Sequence, residues 1–129
     1  MKIQAQLNDV ADFTPLSVGL HKFQIEEAPE VQRNDDGTLA VIVRAVCIDE
    51  QEKGKTVRRR FSAATPGSRY FLKAFLTALG VPIDADGSFE TSNLIGKKFQ
   101  AIIKHREYVN TRGEQAIAAD IVENTVQAL

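Results

Sequence analysis

The sequence predicts a mainly β fold, a five-stranded Greek-key barrel with one α-helix between its third and fourth strands. Five segments carry apolar residues in strand-like runs, one segment between them repeats apolar residues at helical spacing, and turn-forming residues separate the segments. A chain of 129 residues, 43% of them hydrophobic, is long enough for one core and too short for two. We therefore expect a single domain over residues 1–129.

The first predicted strand, residues 17–28, changes its hydrophobic parity along its length. Val18 and Leu20 belong to one strand face, whereas Phe23 and Ile25 belong to the other. Such a change indicates a bulged or coiled strand.

The second and third predicted strands follow a strong turn signal at residues 34–37. The second strand, residues 39–48, is apolar on both faces except at Arg44. The third strand, residues 55–63, carries three consecutive arginines, of which Arg59 falls on the apolar face. A bulge, a barrel end or a buried ion pair must therefore accommodate that side chain.

A helix is predicted over residues 65–80, with Thr65 as its N-cap, Pro66 at its first position and Gly80 at its end. Five apolar residues at helical spacing form a stripe that we expect to plug one end of the barrel: Phe71, Leu72, Phe75, Leu76 and Leu79. The acidic connector that follows, residues 81–96, is predicted to be a loop with a short helical turn.

The fourth strand, residues 97–108, and the fifth, residues 115–122, are joined by a hairpin turn at residues 110–113. Residues 1–15 are predicted to be either a loose N-terminal arm or an extra edge strand. Three strands, a helix and two strands is the element order of the oligonucleotide/oligosaccharide-binding (OB) barrel, whose first strand is long and bent. We therefore predict an OB-like barrel.

The charge of the chain is segregated, although the net charge is only −1. Residues 53–80 contain seven basic and no acidic residues, and residues 97–112 contain five basic residues and one acidic residue. The remaining segments are acidic. A local basic stripe attracts phosphates over a distance of about 8 Å at physiological salt.

Catalytic and metal-binding patterns are absent from the sequence. His21 and His105 fall on different predicted strands, no phosphate-binding GxxxxGK[ST] loop occurs, and Cys47 is the single cysteine. One cysteine excludes an intrachain disulfide and a cluster of thiolates, and its alternating apolar strand predicts a buried hydrophobe. Four aspartates beside glycines are interpreted as turn residues: Asp35, Asp36, Asp84 and Asp86. We expect no enzyme, no cofactor and no metal.

The basic strands carry the candidate nucleic-acid-binding residues. OB-like barrels bind on the exposed face around their second and third strands, so Arg44, Arg58 and Arg60 are the first candidates. The complete candidate set is Arg44, Lys55, Arg58, Arg59, Arg60, Lys98, Lys104, Arg106, Tyr108 and Arg112. We expect these side chains to converge on one exposed trough. The alternatives are a solvated strand face or a charged edge that prevents aggregation, and a packing role for Tyr108.

A succession of short motifs runs through residues 17–124. It consists of Gly54-Lys55 with Arg60-Phe61, Phe71-Leu72 to Phe75-Leu76 ending in Leu79-Gly80, Leu94-Ile95-Gly96-Lys97, and Tyr108 before Gly113. With these motifs the chain resembles phage-encoded single-stranded-DNA-binding proteins with OB folds, many of which are filed as domains of unknown function. The resemblance implies largely sequence-independent binding of single-stranded DNA in phage-type replication or recombination, with no catalysis.

The chain departs from that family in two features, which concern partner proteins and base stacking. The chain ends at residues 124–129 without the acidic tail by which many single-strand binders recruit replication or recombination enzymes, so such recruitment is left open, as is a homo-oligomer. Tryptophan is absent, which leaves Tyr108, Phe61, Phe23 or Tyr70 for base stacking.

The sequence also leads to expectations about cellular location and to an alternative function. No segment approaches the roughly 20 apolar residues of a membrane span, and the N-terminus lacks an apolar signal-peptide core, so we expect a cytoplasmic protein, in the host cell if phage-encoded, with no membrane partner. The alternative function is a barrel for protein interaction or phage structure without nucleic-acid binding, with Ile42, Val46 and Ile48 in a subunit contact. Oligosaccharide binding is a weaker third reading.

Overall fold

The computed structural model describes residues 1–4 and 15–129, so residues 5–14 of the predicted arm or edge strand lie outside the described residues. The described chain is mainly β, as predicted, with α-helix α1 (Pro66–Ala78) and a short 3-10 helix (Thr91–Leu94). The strands are β1 (Gly19–Gln24), β2 (Glu30–Arg33), β3 (Leu39–Cys47), β4 (Thr56–Ser62), β5 (Lys98–Val109), β6 (Gln115–Ile121) and β7 (Gln127–Ala128). The bounds of β3 to β6 agree with the predicted strands to within one residue.

The strands form one antiparallel sheet in the order β2-β3-β1-β5-β6. Strand β4 pairs with the other edge of β3, and β7 pairs with β5. Among the described strands, β4 pairs with β3 alone and β6 with β5 alone. The backbone hydrogen bonds therefore describe an open seven-stranded sheet in which β2, β4, β6 and β7 each pair with one other strand.

The predicted first strand is interrupted, and its two parts are β1 and β2. Gln24 pairs with Val46 and Glu30 pairs with Ile42, so the chain advances six residues while β3 recedes by four. The two additional residues bulge out near the buried Pro29, which has no N–H for strand pairing. The chain therefore bends between a part that pairs with both β3 and β5 and a part that pairs with β3.

Val18 and Leu20 lie on the face opposite to Phe23 and Ile25, as predicted, but β1 has no bulge between Leu20 and Phe23, because its register with β5 is unbroken there. His21, Phe23 and Ile25 are all buried and share one face, whereas Val18 and Leu20 are 64% and 59% exposed. A bulge was predicted because Val18 and Leu20 were expected to face the core. The inward residue of that part of the strand is His21, which a hydrophobic pattern does not reveal. Its burial depends on polar partners from other segments.

Helix α1 begins and ends as the sequence predicts. The hydroxyl of Thr65 accepts a hydrogen bond from the Ser68 N–H, and the Ser68 side chain accepts one from the Thr65 N–H, which forms a capping box. Gly80 follows the helix at φ 73°, and the N–H of Val81 donates to the carbonyl of Leu76 at 2.9 Å. In the described residues no helix has the length and apolar character needed to cross a membrane.

An aromatic cluster joins the helix to the sheet. The Phe23 ring stacks on Phe99 at 5.3 Å between centroids, and Phe75 of α1 lies 5.7 Å from Phe99 and 5.0 Å from Phe61. Four of the five residues in the predicted helical stripe are buried, but Phe71 is 38% exposed. The five residues span too wide an arc for one helix face, and Phe71 lies at its edge.

The predicted turn role of the aspartates and the predicted burial of Cys47 are both confirmed. The Asp36 carboxylate accepts hydrogen bonds from the N–H and hydroxyl of Thr38, and the Asp86 carboxylate does the same with Ser88. These hydrogen bonds lower the pKa of both aspartates. Cys47 is fully buried in the core, where desolvation raises the pKa of its thiol.

Candidate nucleic-acid interface

Three exposed arginines lie together on the outer surface of β3 and β4. Arg44 and Arg58 are directly opposite each other in the β3–β4 register, and opposite residues of an antiparallel pair project from the same face. Arg60 lies two residues further along β4 and therefore shares that face. We call Arg44, Arg58 and Arg60 the arginine face.

The arginine face is free of direct ion pairs in the part of the chain that the structure describes. The salt bridges found there involve other cations. Arg60 donates a hydrogen bond to the Asn34 side-chain oxygen at 3.1 Å, which holds it against the β2–β3 turn. Arg44 and Arg58 therefore have no carboxylate partner among residues 1–4 and 15–129, and both are exposed.

The surface around the arginine face carries charges of both signs. Lys98 pairs with Gln24, and Gln24 pairs with Val46, two residues from Arg44. With strand spacings of about 4.8 Å, Lys98 lies roughly 12 Å from Arg44 along the outer face. Glu30 of β2 is also on this face, about 10 Å from Arg60. Lys98 extends the basic surface and Glu30 limits it.

Arg59 points away from the arginine face and is held by an ion pair. Its guanidinium nitrogens Nη2 and Nε lie 2.6 and 2.9 Å from Oε1 of Glu123, and the group lies 4.4 Å from the centre of the Phe61 ring. The register of Arg59 with Val43 is unbroken. Of the three predicted ways to accommodate this arginine, the structure shows the ion pair, so the guanidinium is not available as a free phosphate contact.

Lys55 is also paired with a carboxylate. Its Nζ lies 3.0 Å from Oε1 of Glu52. The Ser17 hydroxyl and Lys55 together lower the pKa of Glu52 to about 2. Lys55 lies before β4 and close to the first residues of β1, away from the centre of the arginine face.

The outer half of the β5–β6 hairpin extends beyond the core. We call residues 104–120 the β5–β6 arm, in which the β5 residues are all exposed. Lys104 lies six residues from Lys98 along β5, a distance of about 20 Å. Along the sheet through β1, Lys104 is therefore remote from the arginine face, but β6 of the same hairpin also contacts β4, the strand that carries Arg58 and Arg60.

One face of the β5–β6 arm carries the remaining candidates. Arg106 pairs with Asp120 at 2.8 Å, which raises the pKa of the guanidinium, and it lies 5.6 Å from the Tyr108 ring. Asp120 is also directly opposite Lys104 in the register. Tyr108 is 40% exposed, and Arg112 is exposed in the hairpin turn. Asp120 therefore offsets much of the positive charge at the base of the arm.

Two of the aromatic residues expected to stack on bases are in the core. Phe23 and Phe61 are 0% and 2% exposed, so neither reaches a ligand at the surface. Tyr70 and Tyr108 are exposed, and Tyr70 contacts Phe71 edge-on at 5.6 Å between centroids. On the arginine face itself, the planar groups that a base can stack on are guanidinium groups.

The different surroundings of Arg59 and Arg106 give a prediction for stability. Arg59→Ala should lower the free energy of unfolding by about 1–2 kcal/mol, because it removes packing on Phe61 and leaves the Glu123 carboxylate half-buried and unpaired. Arg106→Ala should cost less than about 0.5 kcal/mol, since the side chain of Arg106 is 57% exposed, compared with 28% for Arg59. Urea unfolding of both variants measures the difference, and equal losses would contradict it.

A polar cluster that the sequence pattern does not indicate lies where β1 meets β3. Nδ1 of His21 is 2.8 Å from Oδ2 of Asp49, and Cys47 lies beside them. His21 lies two residues before Phe23, so the two side chains share one face of β1, and Phe23 pairs with Cys47 of β3. This alternation was the one sequence feature that could have placed His21 near Cys47. That pairing is long-range, so it could not be read from either segment alone.

This cluster does not contain an activated serine nucleophile. Ser17 Oγ is 3.3 Å from Nε2 of His21, but the hydroxyl donates to Oε2 of Glu52 at 2.6 Å. Nε2 is closer to the backbone oxygen of Ser17, at 2.8 Å. The imidazole is therefore not placed as a base for that hydroxyl.

Similarity to other proteins adds no residue assignments to this geometry. The candidate residues are defined by their own position, burial and charge. No protein-family model matches the chain, and a search of curated proteins finds no match.

Proposed function

We propose that this chain is an OB-like barrel that binds single-stranded DNA largely without sequence preference, in phage-type DNA replication or recombination in the host cytoplasm. The observation that carries the proposal is the arginine face, where Arg44 and Arg58 lie opposite each other without a carboxylate partner among the described residues.

The arginine face has the chemistry of an anion site. Like charges directly opposite each other on a sheet destabilise it, so an anion between Arg44 and Arg58 would relieve a cost that the fold otherwise carries. Guanidinium groups donate paired hydrogen bonds to phosphate oxygens, and their planes stack on bases. Both interactions are independent of base identity, which suits a sequence-independent single-strand binder.

The pairing of the strands supports an OB-like barrel. Strand β1 pairs with both β3 and β5, as the first strand of such a barrel does, and β4 and β6 are the edges that closure would join. The Arg59–Glu123 ion pair connects β4 to the second residue after β6. Side chains thus link the two edges of the sheet.

The β5–β6 arm provides a second contact in this proposal. A strand that begins at the arginine face and follows Lys98 towards Lys104 would cover about 25–30 Å of the outer surface. Tyr108 and Arg112 then lie at its far end, where one base can stack on the tyrosine ring. Arg44, Arg58 and Arg60 supply the main contacts because Asp120 offsets the charge of the arm.

Fluorescence anisotropy with a labelled oligothymidylate tests the function. We expect binding at about 50 mM salt, with log affinity falling against log salt at a slope of about −2 to −3 for three or four phosphate contacts. RNA and duplex DNA serve as competitors, and duplex DNA should compete weakly. No binding at about 50 mM salt would end the proposal.

The alternative, a protein-contact surface, requires a different set of residues from the predicted one. Ile42 is 5% exposed, so it is not available for a subunit contact, while Val46 and Ile48 are half-buried. Ile42 is covered because it lies between Glu30 and Arg60 in the register of three neighbouring strands.

An exposed apolar surface elsewhere favours this second candidate. Leu20 lies directly opposite Ile102, and these residues are 59% and 42% exposed. Val109 and Ile117 are also 61% and 50% exposed, but strand alternation places them on the opposite face of the sheet from Ile102. Light scattering after size exclusion, with and without oligonucleotide, separates the two functions. A stable oligomer that ignores oligonucleotide would favour the protein contact.

A further inference from the structure

A buried histidine, the single cysteine and an aspartate meet where β1 adjoins the end of β3. One ligand atom from each of His21, Cys47 and Asp49 lies within 4.8 Å of the other two. His21 is 7% exposed and Cys47 is fully buried, so strand pairing in the core holds two of the three residues. Asp49 follows β3, and its carboxylate also accepts a hydrogen bond from the Lys22 N–H.

The two nitrogens of the His21 ring have different partners. Nε2 lies 2.8 Å from the backbone oxygen of Ser17, and because a carbonyl oxygen only accepts hydrogen bonds, Nε2 carries a hydrogen. Nδ1 lies 2.8 Å from Oδ2 of Asp49. If the ring is neutral and its hydrogen is on Nε2, the lone pair of Nδ1 points at the Asp49 carboxylate. Because a lone pair and a carboxylate oxygen repel each other, a proton or a cation must lie between these two atoms.

We propose that Nδ1 of His21, Sγ of Cys47 and the carboxylate of Asp49 form a binding site for a divalent cation of the Zn²⁺ class. A metal-bound histidine usually donates its other N–H to a carbonyl or a carboxylate, which fixes the ring. His21 has both partners on Nε2, because Oε2 of Glu52 also lies 3.5 Å from that nitrogen.

The donor set selects the class of cation. A thiolate, an imidazole and one carboxylate suit Zn²⁺, whereas Mg²⁺ and Ca²⁺ prefer oxygen donors. In a tetrahedral site with Zn–N near 2.0 Å and Zn–S near 2.3 Å, neighbouring donor atoms lie roughly 3.3–3.7 Å apart. The observed spacing therefore requires side-chain movements of about 1 Å, which the loop residue Asp49 can make.

The charges of the filled site balance. The thiolate of Cys47 and the carboxylate of Asp49 neutralise the two positive charges of the cation, which avoids the cost of a net charge in the core. Binding exchanges two protons for the cation, the thiol proton and the proton between Nδ1 of His21 and Asp49, and both protons leave to solvent. The net charge of the site is unchanged.

A surface pocket gives access to the site. The pocket has a volume of about 560 Å³, and His21, Asp49, Ser17 and Glu52 are among its lining residues. Three protein donors leave a fourth tetrahedral position, which a water molecule from the pocket can fill. The bound cation would fasten the β3–β4 loop, through Asp49, to β1.

Titration of the untagged protein with Zn²⁺ and Co²⁺ tests the site. We expect one equivalent of either metal per chain, and a thiolate-to-cobalt charge-transfer band in the near ultraviolet. That band reports the only thiol of the chain directly and needs no variant. A cobalt spectrum without the band, or no binding of either metal, would overturn the proposal.

Variants identify the donors. Cys47→Ala and Asp49→Asn should each weaken Zn²⁺ binding, measured against a colorimetric chelator, by about 100-fold or more, since losing even an orienting partner costs roughly 10- to 100-fold. His105→Gln removes the only other histidine and should leave the affinity unchanged. Unchanged affinity in a folded Asp49→Asn variant would refute the assignment, and circular dichroism checks its folding.

Discussion

An Arg44→Ala, Arg58→Ala double variant should bind oligothymidylate at least about tenfold more weakly than the unmodified protein at low salt, a loss of about 1.4 kcal/mol or more. The two guanidinium groups lie opposite each other on β3 and β4 and have no carboxylate partner among the described residues. If each contacts one phosphate, the plot of log affinity against log salt should become less steep by about 1.4. Fluorescence anisotropy at several salt concentrations measures both quantities.

The matched control removes the same charge from another surface. Arg69→Ala with Lys73→Ala deletes two exposed cations of α1, so the net charge changes equally. This control should lower affinity only slightly and leave the salt slope within about 0.3 of the unmodified protein. Equal losses in both double variants would mean that net charge, and not the arginine face, attracts the oligonucleotide.

The stability of the double variant separates binding from folding. Opposite like charges destabilise a strand pair, so replacing Arg44 and Arg58 should leave the melting temperature unchanged or raise it slightly. A large decrease would instead assign a structural role to these arginines. Arg60 is kept in this design because its hydrogen bond to Asn34 would add an effect on the β2–β3 turn.

The features that the sequence predicted well are set by local chemistry. Thr65 and Gly80 bound α1 through contacts within a few residues, and the turns before β3 and β6 use side chains that bond their own backbone. The opposition of Arg44 and Arg58 also follows from a short connection, because one hairpin fixes the register of two strands.

The features that the sequence did not predict depend on residues far apart in the chain. Arg59 is tolerated on the inner face because Glu123, 64 residues away, pairs with it. The inward position of His21 depends on Asp49, 28 residues away. A bulged first strand was predicted, but its position near Pro29 was not, because that position depends on where pairing with β1 ends and pairing with β2 begins along β3. Alternation within a segment contains none of this information.

The distance between Lys98 and the basic residues of the β5–β6 arm has a similar cause. Lys98 and Lys104 share one face of β5, which the alternation predicted. Beyond Ile103, however, β5 is paired with β6 and no longer with β1, so its outer half is remote from Arg44 along this side of the sheet, and only its partner β6 contacts β4. Charge blocks along a sequence indicate which strands are basic, but the point at which a strand changes partners decides whether the blocks meet.

Phe75→Ala should lower the free energy of unfolding by about 3–5 kcal/mol, whereas Phe71→Ala should change it by less than about 1 kcal/mol. Phe75 is 5% exposed and contacts the rings of both Phe61 and Phe99. Phe71 is 38% exposed at the edge of the same helix. The two substitutions are identical in chemistry and both lie within α1, so differences in helix propensity largely cancel.

The large loss of stability expected for Phe75→Ala determines how it can be compared with Phe71→Ala. A domain of this kind has a total stability of about 5–15 kcal/mol, so Phe75→Ala approaches the limit of folding. If that variant does not fold, Phe75→Leu replaces it, with an expected loss of about 1–2 kcal/mol from poorer packing against Phe61 and Phe99. Urea midpoints at constant slope give both values. Equal losses at positions 71 and 75 would mean that the exposed ring packs as the buried one does, and that the face of α1 turned to the sheet is wrongly assigned.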